Sequence, residues 1–230
     1  YRSVPQVALD WGINVIAPHI DFTTIGAGGG SIAYIGQDDL LKVGPRSAGA
    51  EPGPACYGKG GEEPTVTDAN VVLGRIDPEF FLGGRIQLDH AAAARVVGKI
   101  ACALGLSTEE AALAIIETVN DNMATAVRRV TIERGLDYRD YDLIAFGGAG
   151  PAHGAELARA IGMRRTLVPI HPGLCSAFGT VVADVRVEKS RTVNFRSDKM
   201  VLADVAEAFM TLEAQALEEL REEGYAGEPT

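Results

Sequence analysis

The sequence predicts an α/β fold, and three observations carry that reading. First, an apolar run at 142–146 leads through Gly147-Gly148-Ala149-Gly150 into Pro151 and a helical pattern up to residue 161, a strand, glycine turn and helix in succession. Second, two amphipathic helical patterns precede it, each with start and stop signals. Third, short strand-like runs recur on both sides of these helices, and strands alternating with helices put helices on the faces of a sheet.

The elements follow in chain order. Residues 4–25 mix short apolar runs (7–9, 13–17) with Pro5 and Pro18, the pattern of short strands and turns. Between 26 and 61 there are eleven glycines in 36 residues, with Pro45, Pro52 and Pro54, a density that excludes a helix or a regular central strand. The same stretch carries Ile32, Tyr34, Ile35, Leu40, Leu41, Val43, Cys56 and Tyr57, too much apolar surface for a linker. It is predicted as a long ordered loop folded against a core, the kind of loop that commonly carries function.

After Leu82-Gly83-Gly84 the pattern turns helical. Asp89 is the expected N-cap; Val96, Val97, Ile100 and Leu104 recur at helical spacing, and Gly105 suits the C-terminal stop. Ser107 and Glu110 form a capping box that opens a helix of roughly 25 residues. Leu113, Ile116, Val119, Met123, Val127 and Val130 are expected inward, with Gly135 ending it. The strand and helix at 142–161 follow, then a strand at 166–170, a turn at His171-Pro172-Gly173, and one or two strands across the alternating stretch 181–195. A last helix from about Leu202 has Val205, Phe209, Leu212, Ala216 and Leu220 on one face.

Composition limits the partners. The 31 acidic and 21 basic residues give a net charge of −10, which repels nucleic acid and anionic membrane surfaces, so neither is an expected partner and any phosphate site must be local. No apolar run reaches the roughly 20 residues that cross a bilayer, and the opening residues lack the basic and apolar regions of a signal peptide, so the expected location is cytoplasmic. Cys56, Cys102 and Cys175 are odd in number and far apart, which fits free thiols. The chain opens without methionine and closes just after a strong helical pattern, so it is read as a fragment of something longer.

Four features can carry chemistry. In Gly26-Ala27-Gly28-Gly29-Gly30-Ser31 the missing Cβ atoms allow successive backbone N–H groups to converge on an anion, with the Ser31 hydroxyl as a further donor. The loop lacks the lysine of a Walker motif and the dinucleotide spacing, and its bland alternative is a packing turn. In Gly147 to Gly150 the strand-to-helix placement lets backbone and helix dipole face a ligand; close strand–helix packing is the competing explanation. Thr65-Val66-Thr67-Asp68-Ala69-Asn70 offers hydroxyl, carboxylate and amide groups for Mg²⁺ or a polar substrate, or equally a helix N-cap at Thr67 or Asp68. Cys56, held between proline and glycine, is a candidate nucleophile with no base evident in sequence. His153 and His171 are the histidines nearest these segments, and no two histidines have metal-ligand spacing.

Six strings occur in order: Thr24-Ile-Gly-Ala-Gly-Gly-Gly-Ser-Ile-Ala33, Val43-Gly-Pro-Arg-Ser-Ala-Gly-Ala50, Pro52-Gly-Pro-Ala-Cys-Tyr-Gly58, Thr65 to Asn70, Phe146-Gly-Gly-Ala-Gly-Pro-Ala-His153 and Ser176-Ala-Phe-Gly179. Together, from about Pro18 to Phe195, they closely resemble the hydantoinase/oxoprolinase family, which includes N-methylhydantoinase A subunits, 5-oxoprolinase and the ATP-binding subunits of acetone and acetophenone carboxylases. The resemblance implies an actin-like ATPase (ribonuclease H-like) fold with an inserted helical pair and a long ordered glycine-rich loop. In that fold ATP, with Mg²⁺ or Mn²⁺, lies between two related domains and phosphorylates a carbonyl oxygen.

On that basis residues 1–84 hold the glycine-rich region and strands, 85–141 the helical hairpin, 142–200 the adenosine-side subdomain, and 201–230 the start of a C-terminal helical segment. Gly147, Gly148, Ala149 and Gly150 match the adenosine-contacting turn, and Gly28, Gly29, Gly30 and Ser31 a loop facing phosphate or substrate. Asp68, Asn70 and His153 are the catalytic candidates, with Asp68 also the candidate metal ligand. The function implied is ATP-dependent opening of a cyclic amide of the hydantoin or 5-oxoproline type. The alternatives are an ATP-binding subunit of an acetone/acetophenone-type carboxylase and a non-catalytic binding or assembly module. The implied partners are a small cyclic amide or ketone, a HyuB-like partner subunit or domain, and further copies in an oligomer. The family's Asp-x-Gly-Gly-Thr phosphate turns occur nowhere in the 230 residues and are expected upstream, so the fragment alone is expected to be inactive.

Overall fold

A computed structural model of the chain describes residues 22–193 and 201–227 and, before them, the backbone of four two-residue strands. Those strands are Ser3–Val4 (β1), Val7–Ala8 (β2), Asn14–Val15 (β3) and His19–Ile20 (β4); β1 pairs antiparallel with β4 and β2 with β3. Next come Ser31–Ile35 (β5), Leu41–Ser47 (β6), Val66–Val72 (α1), His90–Leu104 (α2) and Thr108–Ile132 (α3). Leu143–Ile144 (β7), Gly150–Ile161 (α4), Thr166–Leu167 (β8), Cys175–Val182 (α5) and Leu202–Glu222 (α6) complete the order. The chain divides into two compact units, 23–178 and 1–22 with 179–230.

In the larger unit, one core is shared by the antiparallel hairpin β5–β6 and three helices. Ala33 and Val43 from the hairpin, Val66 and Ala69 from α1, Val97 and Ile100 from α2, and Ile115, Ile116 and Val119 from α3 pack together. Each fully buried Ile or Val contributes about 1.5–3 kcal/mol, so truncating Ile115 or Ile116 to Ala would cost about 2–5 kcal/mol. The helix ends follow the sequence signals: the Asp89 side chain accepts from Ala92 N–H, Gly105 is left-handed at φ 67°, and Ser107 and Glu110 close a reciprocal capping box. The helical pair is no separate layer, because its apolar stripe is the surface that holds the hairpin and α1.

A second, smaller cluster forms a βαβ unit. β7 and β8 pair in parallel, α4 connects them, and Leu157 and Ile161 of α4 pack with Ala124 of α3. Gly154 lets the helix lie close on the strands: a Cβ there would sit 2.8 Å from both Ala145 Cβ and Thr166 Cγ2.

The differences from expectation have physical reasons. The glycine-rich stretch contains the hairpin as well as loop, because Gly36 to Asp39 supply the turn: Gly36 N–H donates to Leu40 C=O, and Asp39 takes φ 57°. Leu113 of α3 is 41% exposed, since the buried stripe runs through Ala112, Ile115, Ile116 and Val119. The strands expected at 142–146 and 166–170 shrink to two paired residues each. The stretch expected as strand at 181–195 begins as the end of α5 and then runs irregularly to 193, while 194 and 195 lie outside the described residues. Alternating short apolar runs do not separate helix from strand, and Pro172, opening the turn Pro172–Leu174, leads directly into α5.

In the other unit α6 is present, but no residue in it is buried and Phe209 is 69% exposed. Ala216, Leu217 and Leu220 line a groove with Ala183 to Val187 and Tyr225, and Lys189 pairs with Glu219. No described helix is long and apolar enough to cross a membrane.

Candidate functional site

Within the larger unit a cavity of about 580 Å³ brings together segments far apart in sequence. Gly29 and Gly30 come from the glycine loop, Thr67 and Asn70 from α1, Arg75 from the turn after it, and Gly148, Ala149 and Ala152 from the start of α4. Tyr57, Ile76, Phe80 and Phe81 supply apolar walls.

The loop is latched to α1. Gly29 C=O accepts from Thr67 N–H at 2.8 Å and from Thr67 Oγ1 at 2.9 Å. A Cβ on Gly29 would sit 2.8 Å from Thr67 Oγ1 and 3.6 Å from Ala149 Cβ, so a glycine is required where loop, helix and turn meet. Among the described residues nothing accepts from the N–H groups of Gly29 or Gly30. Ser31 departs from its expected role as a ligand donor. It is buried, and its Oγ accepts from Gly28 N–H at 2.9 Å and donates to Gly26 C=O at 3.0 Å, bracing its own loop. Gly28 has open space above it and faces a separate cavity of about 430 Å³ lined by Thr23 to Gly28, Pro45 and Ser47.

The turn before α4 is held from behind. Gly147, at φ 83°, donates its N–H to Pro172 C=O at 2.8 Å, and the Cβ position of Gly150 lies 3.7 Å from the Ala145 backbone. Gly148 faces open space, and Ala149 gives α4 no side-chain cap; Pro151 carries no N–H and Ala152 N–H donates to Ala149 C=O at 3.0 Å, so among the described residues it is the Gly150 N–H at the start of α4 from which nothing accepts.

Asp68 corrects an expectation. The N-cap of α1 is Thr65, not Thr67 or Asp68, and Asp68 is the third-position partner of its capping box. The Asp68 carboxylate is fully buried and accepts four hydrogen bonds: Cys56 N–H at 2.8 Å, Ala55 N–H at 3.3 Å, Thr65 N–H at 3.0 Å and Thr65 Oγ1 at 2.7 Å. Fully buried and absent from the cavity lining, it pins the segment 55–57 to α1. Among the described residues no group of three or more His, Cys, Asp or Glu is arranged to hold a metal ion.

Cys56 is equally buried, and desolvation, reinforced by the Asp68 charge, pushes its thiol far up, so it stays protonated and is no nucleophile. His171 is exposed and lies outside the cavity lining.

Asn70 and His153 have different surroundings. Asn70 lines the cavity, is 2% exposed, and donates from Nδ2 to Val66 C=O at 3.0 Å, while its Oδ1 is buried with no partner. His153 is buried behind the turn and does not line the cavity. Its Nδ1 lies 2.8 Å from Asn120 Oδ1, and Asn120 Nδ2 donates to Glu156 at 2.9 Å. Because Asn120's nitrogen is committed to Glu156, its oxygen faces His153, and Nδ1 carries the imidazole proton. Burial, with a smaller contribution from Arg75, pushes the His153 imidazole down, so it is neutral with an unpartnered Nε2. Glu156 in turn takes a forked pair with Arg75 at 3.0 and 2.7 Å, and that pairing holds its carboxyl below the usual range.

Sequence reasoning missed Arg75, Asn120 and Glu156. Arg75 and Glu156 are 81 residues apart and carry no motif. Asn120 gave one usable signal, an amide on the apolar stripe of α3 next to Val119.

Comparison with known proteins follows this geometry. The model of the family described as hydantoinase/oxoprolinase matches residues 4–189. The chain is 46% identical over 215 residues to caprolactamase subunit alpha of Pseudomonas jessenii, covering 92% of this chain and 31% of that protein. It is 42% identical over 223 residues to the acetophenone carboxylase gamma subunit of Aromatoleum aromaticum, covering 93% and 30%. It is 35% identical over 231 residues to 5-oxoprolinase 1 of Arabidopsis thaliana, covering 93% and 18%. Among solved structures it superimposes on ATP-dependent caprolactamase from Pseudomonas jessenii with a TM-score of 0.71 at 45% identity, covering 95% of this chain and 32% of that one. It superimposes on nucleotide-free acetone carboxylase with a TM-score of 0.77 at 30% identity, covering 94% and 32%. The chain spans about a third or less of the length of these relatives. As the six strings imply, this chain belongs to the hydantoinase/oxoprolinase family.

Proposed function

We propose that this chain forms one wall of an ATP site in a longer, actin-like enzyme that opens a cyclic amide by phosphorylating its carbonyl oxygen. The observation that carries the reading is the meeting of two glycine segments on one cavity, Gly29-Gly30 from the loop and Gly148-Ala149 from the turn. Relatives named as an ATP-dependent caprolactamase and a 5-oxoprolinase support it.

The residues present fit a nucleotide. Among the described residues nothing accepts from the Gly29 and Gly30 N–H groups, the uncapped start of α4 adds a partial positive charge, and Gly148 leaves space that a side chain would fill. Their work is binding and orientation: the loop fixes phosphate oxygens while the Thr67 latch keeps the loop from moving away. ATP supplies the phosphoryl group that turns a poor carbonyl electrophile into one that water can attack. Asp68, fully buried and outside the cavity lining, reads as a structural carboxylate rather than the ligand of the Mg²⁺ or Mn²⁺ that would accompany ATP. Residues outside this chain complete the site, in a HyuB-like partner subunit or in the rest of the polypeptide.

A second reading, the ATP-binding subunit of a ketone carboxylase, is favoured by one observation, the higher TM-score to acetone carboxylase, 0.77 against 0.71. Cyclic-amide-dependent ADP release supports the hydrolase, and ADP release that requires a ketone with bicarbonate supports the carboxylase. Gly148→Val in the assembled enzyme tests the nucleotide wall itself. The new side chain enters open space, so the melting temperature should hold while ATP affinity falls tenfold or more, about 1.4 kcal/mol. Unchanged ATP affinity would leave the chain as a binding or assembly module.

A further inference from the structure

We propose that Arg75 is an oxyanion contact of the cavity, one edge of its guanidinium taking phosphate oxygens of the nucleotide, an inference that rests on the ATP-site reading above. Arg75 lines the cavity together with Gly29 and Gly30. A guanidinium carries five N–H donors in one plane. Arg75 spends two of them, one from Nη1 and one from Nη2, on the end-on fork to Glu156 at 3.0 and 2.7 Å. Among the described residues nothing accepts from the other three. Two of these, Nε–H and the outer Nη2–H, lie side by side along one edge, spaced to fork onto two oxygens of a single oxyanion.

The ion pair serves position more than stability. Its side chains are 26% and 40% exposed, and an ion pair so open to water adds little stability. Glu156 is nevertheless braced further. Asn120 Nδ2 donates to the same Oε2 that Nη1 meets, and Asn120 Oδ1 engages the buried His153. Glu156 stands one helical turn after Ala152, a residue of the cavity wall, so the arginine crosses from the turn after α1 alongside that wall. A long side chain already fixed in this way loses little rotamer freedom when a ligand arrives. The lining thus supplies donors from two segments, the Gly29 and Gly30 N–H groups and the Arg75 edge, and a phosphate chain has oxygens for both. Glu156 offsets the guanidinium charge, and Asp77, whose Oδ1 accepts from Glu79 N–H at 2.9 Å, adds an acidic group to the lining. The contact therefore works through donor geometry rather than through net positive charge.

The experiment uses the assembled enzyme and calorimetric titration with ATP and with adenosine, which lacks the phosphates. Arg75→Met keeps the aliphatic stem and removes every side-chain donor; Glu156→Gln breaks the same ion pair and leaves the guanidinium. Arg75→Met should weaken ATP binding about tenfold or more and adenosine binding by about twofold at most, whereas Glu156→Gln should weaken ATP by about threefold at most. If Arg75→Met does not fold, Arg75→Lys gives the same comparison, because one ammonium cannot serve Glu156 and a phosphate fork together. Where adenosine does not bind the wild type, the two variants alone decide. Unchanged ATP affinity in the arginine variant, equal losses for ATP and adenosine, or equal ATP losses in the arginine and glutamate variants would each overturn the proposal. ATP binding that responds to Gly148→Val but not to Arg75→Met would overturn this inference alone, whereas ATP binding indifferent to Gly148→Val would remove the reading beneath it.

Discussion

Replacing Asp68 by alanine separates a structural carboxylate from a metal ligand. The side chain accepts from three backbone N–H groups and the Thr65 hydroxyl, all in a position closed to solvent. Asp68→Ala strands these donors, each costing about 1–3 kcal/mol when unsatisfied, although rearrangement makes the sum less than additive. A loss of about 3–5 kcal/mol is the expected total, the range seen when a buried charged interaction loses one partner. In a domain of this size that corresponds to a fall in Tm of roughly 6–20 °C. Thermal and urea unfolding of wild type and variant, followed by circular dichroism with and without Mg²⁺, measure it. The expected result is a large destabilisation that Mg²⁺ neither causes nor rescues. A variant that melts within a degree or two of wild type yet loses Mg²⁺-dependent ATP turnover would show that Asp68 serves the metal and would refute the structural account.

Two further outcomes follow from burial. Iodoacetamide should label exposed Cys102 first, Cys175 more slowly and Cys56 last in the native protein, read by peptide mass spectrometry; Cys56 labelling at the rate of Cys102 would restore it as a nucleophile. His153 should make stability fall as pH drops. Burial lowers its folded pKa below the ordinary value of 6.5, so below about pH 6.5 the unfolded chain binds a proton that the folded chain refuses. Urea unfolding between pH 7.5 and 5.5 should lose up to about 1.4 kcal/mol per pH unit once below that value, a slope that His153→Asn flattens. An equal slope in both proteins would sink this reading.

Much of the fold was legible because its signals are local. The caps at Asp89 and Ser107, the stop at Gly105, the α2–α3 pair and the turn into α4 each depend on residues within one helical turn of one another, and all appear where the sequence places them. The 181–195 stretch was not legible, since a short alternating run satisfies helix and strand alike. Within the site, the glycine segments could be located but not their contacts. Nothing local reveals that Thr67 reaches back 38 residues to Gly29, or that Arg75 reaches forward 81 residues to Glu156.

The string Thr65 to Asn70 shows why residue types alone misassigned roles. Read as a list, its hydroxyls, carboxylate and amide look like one polar site. Wound into α1, the residues separate by angle. Thr67 and Asn70, three positions apart, share the face that lines the cavity, whereas Asp68, one residue from Thr67, turns about 100° away into the core. The carboxylate, the group most readily taken for a metal ligand, therefore holds the architecture together. Asn70 keeps a buried Oδ1 without a partner because its Nδ2 is committed to its own helix. Helical phase, rather than chemical potency, decides which member of the string can meet a ligand.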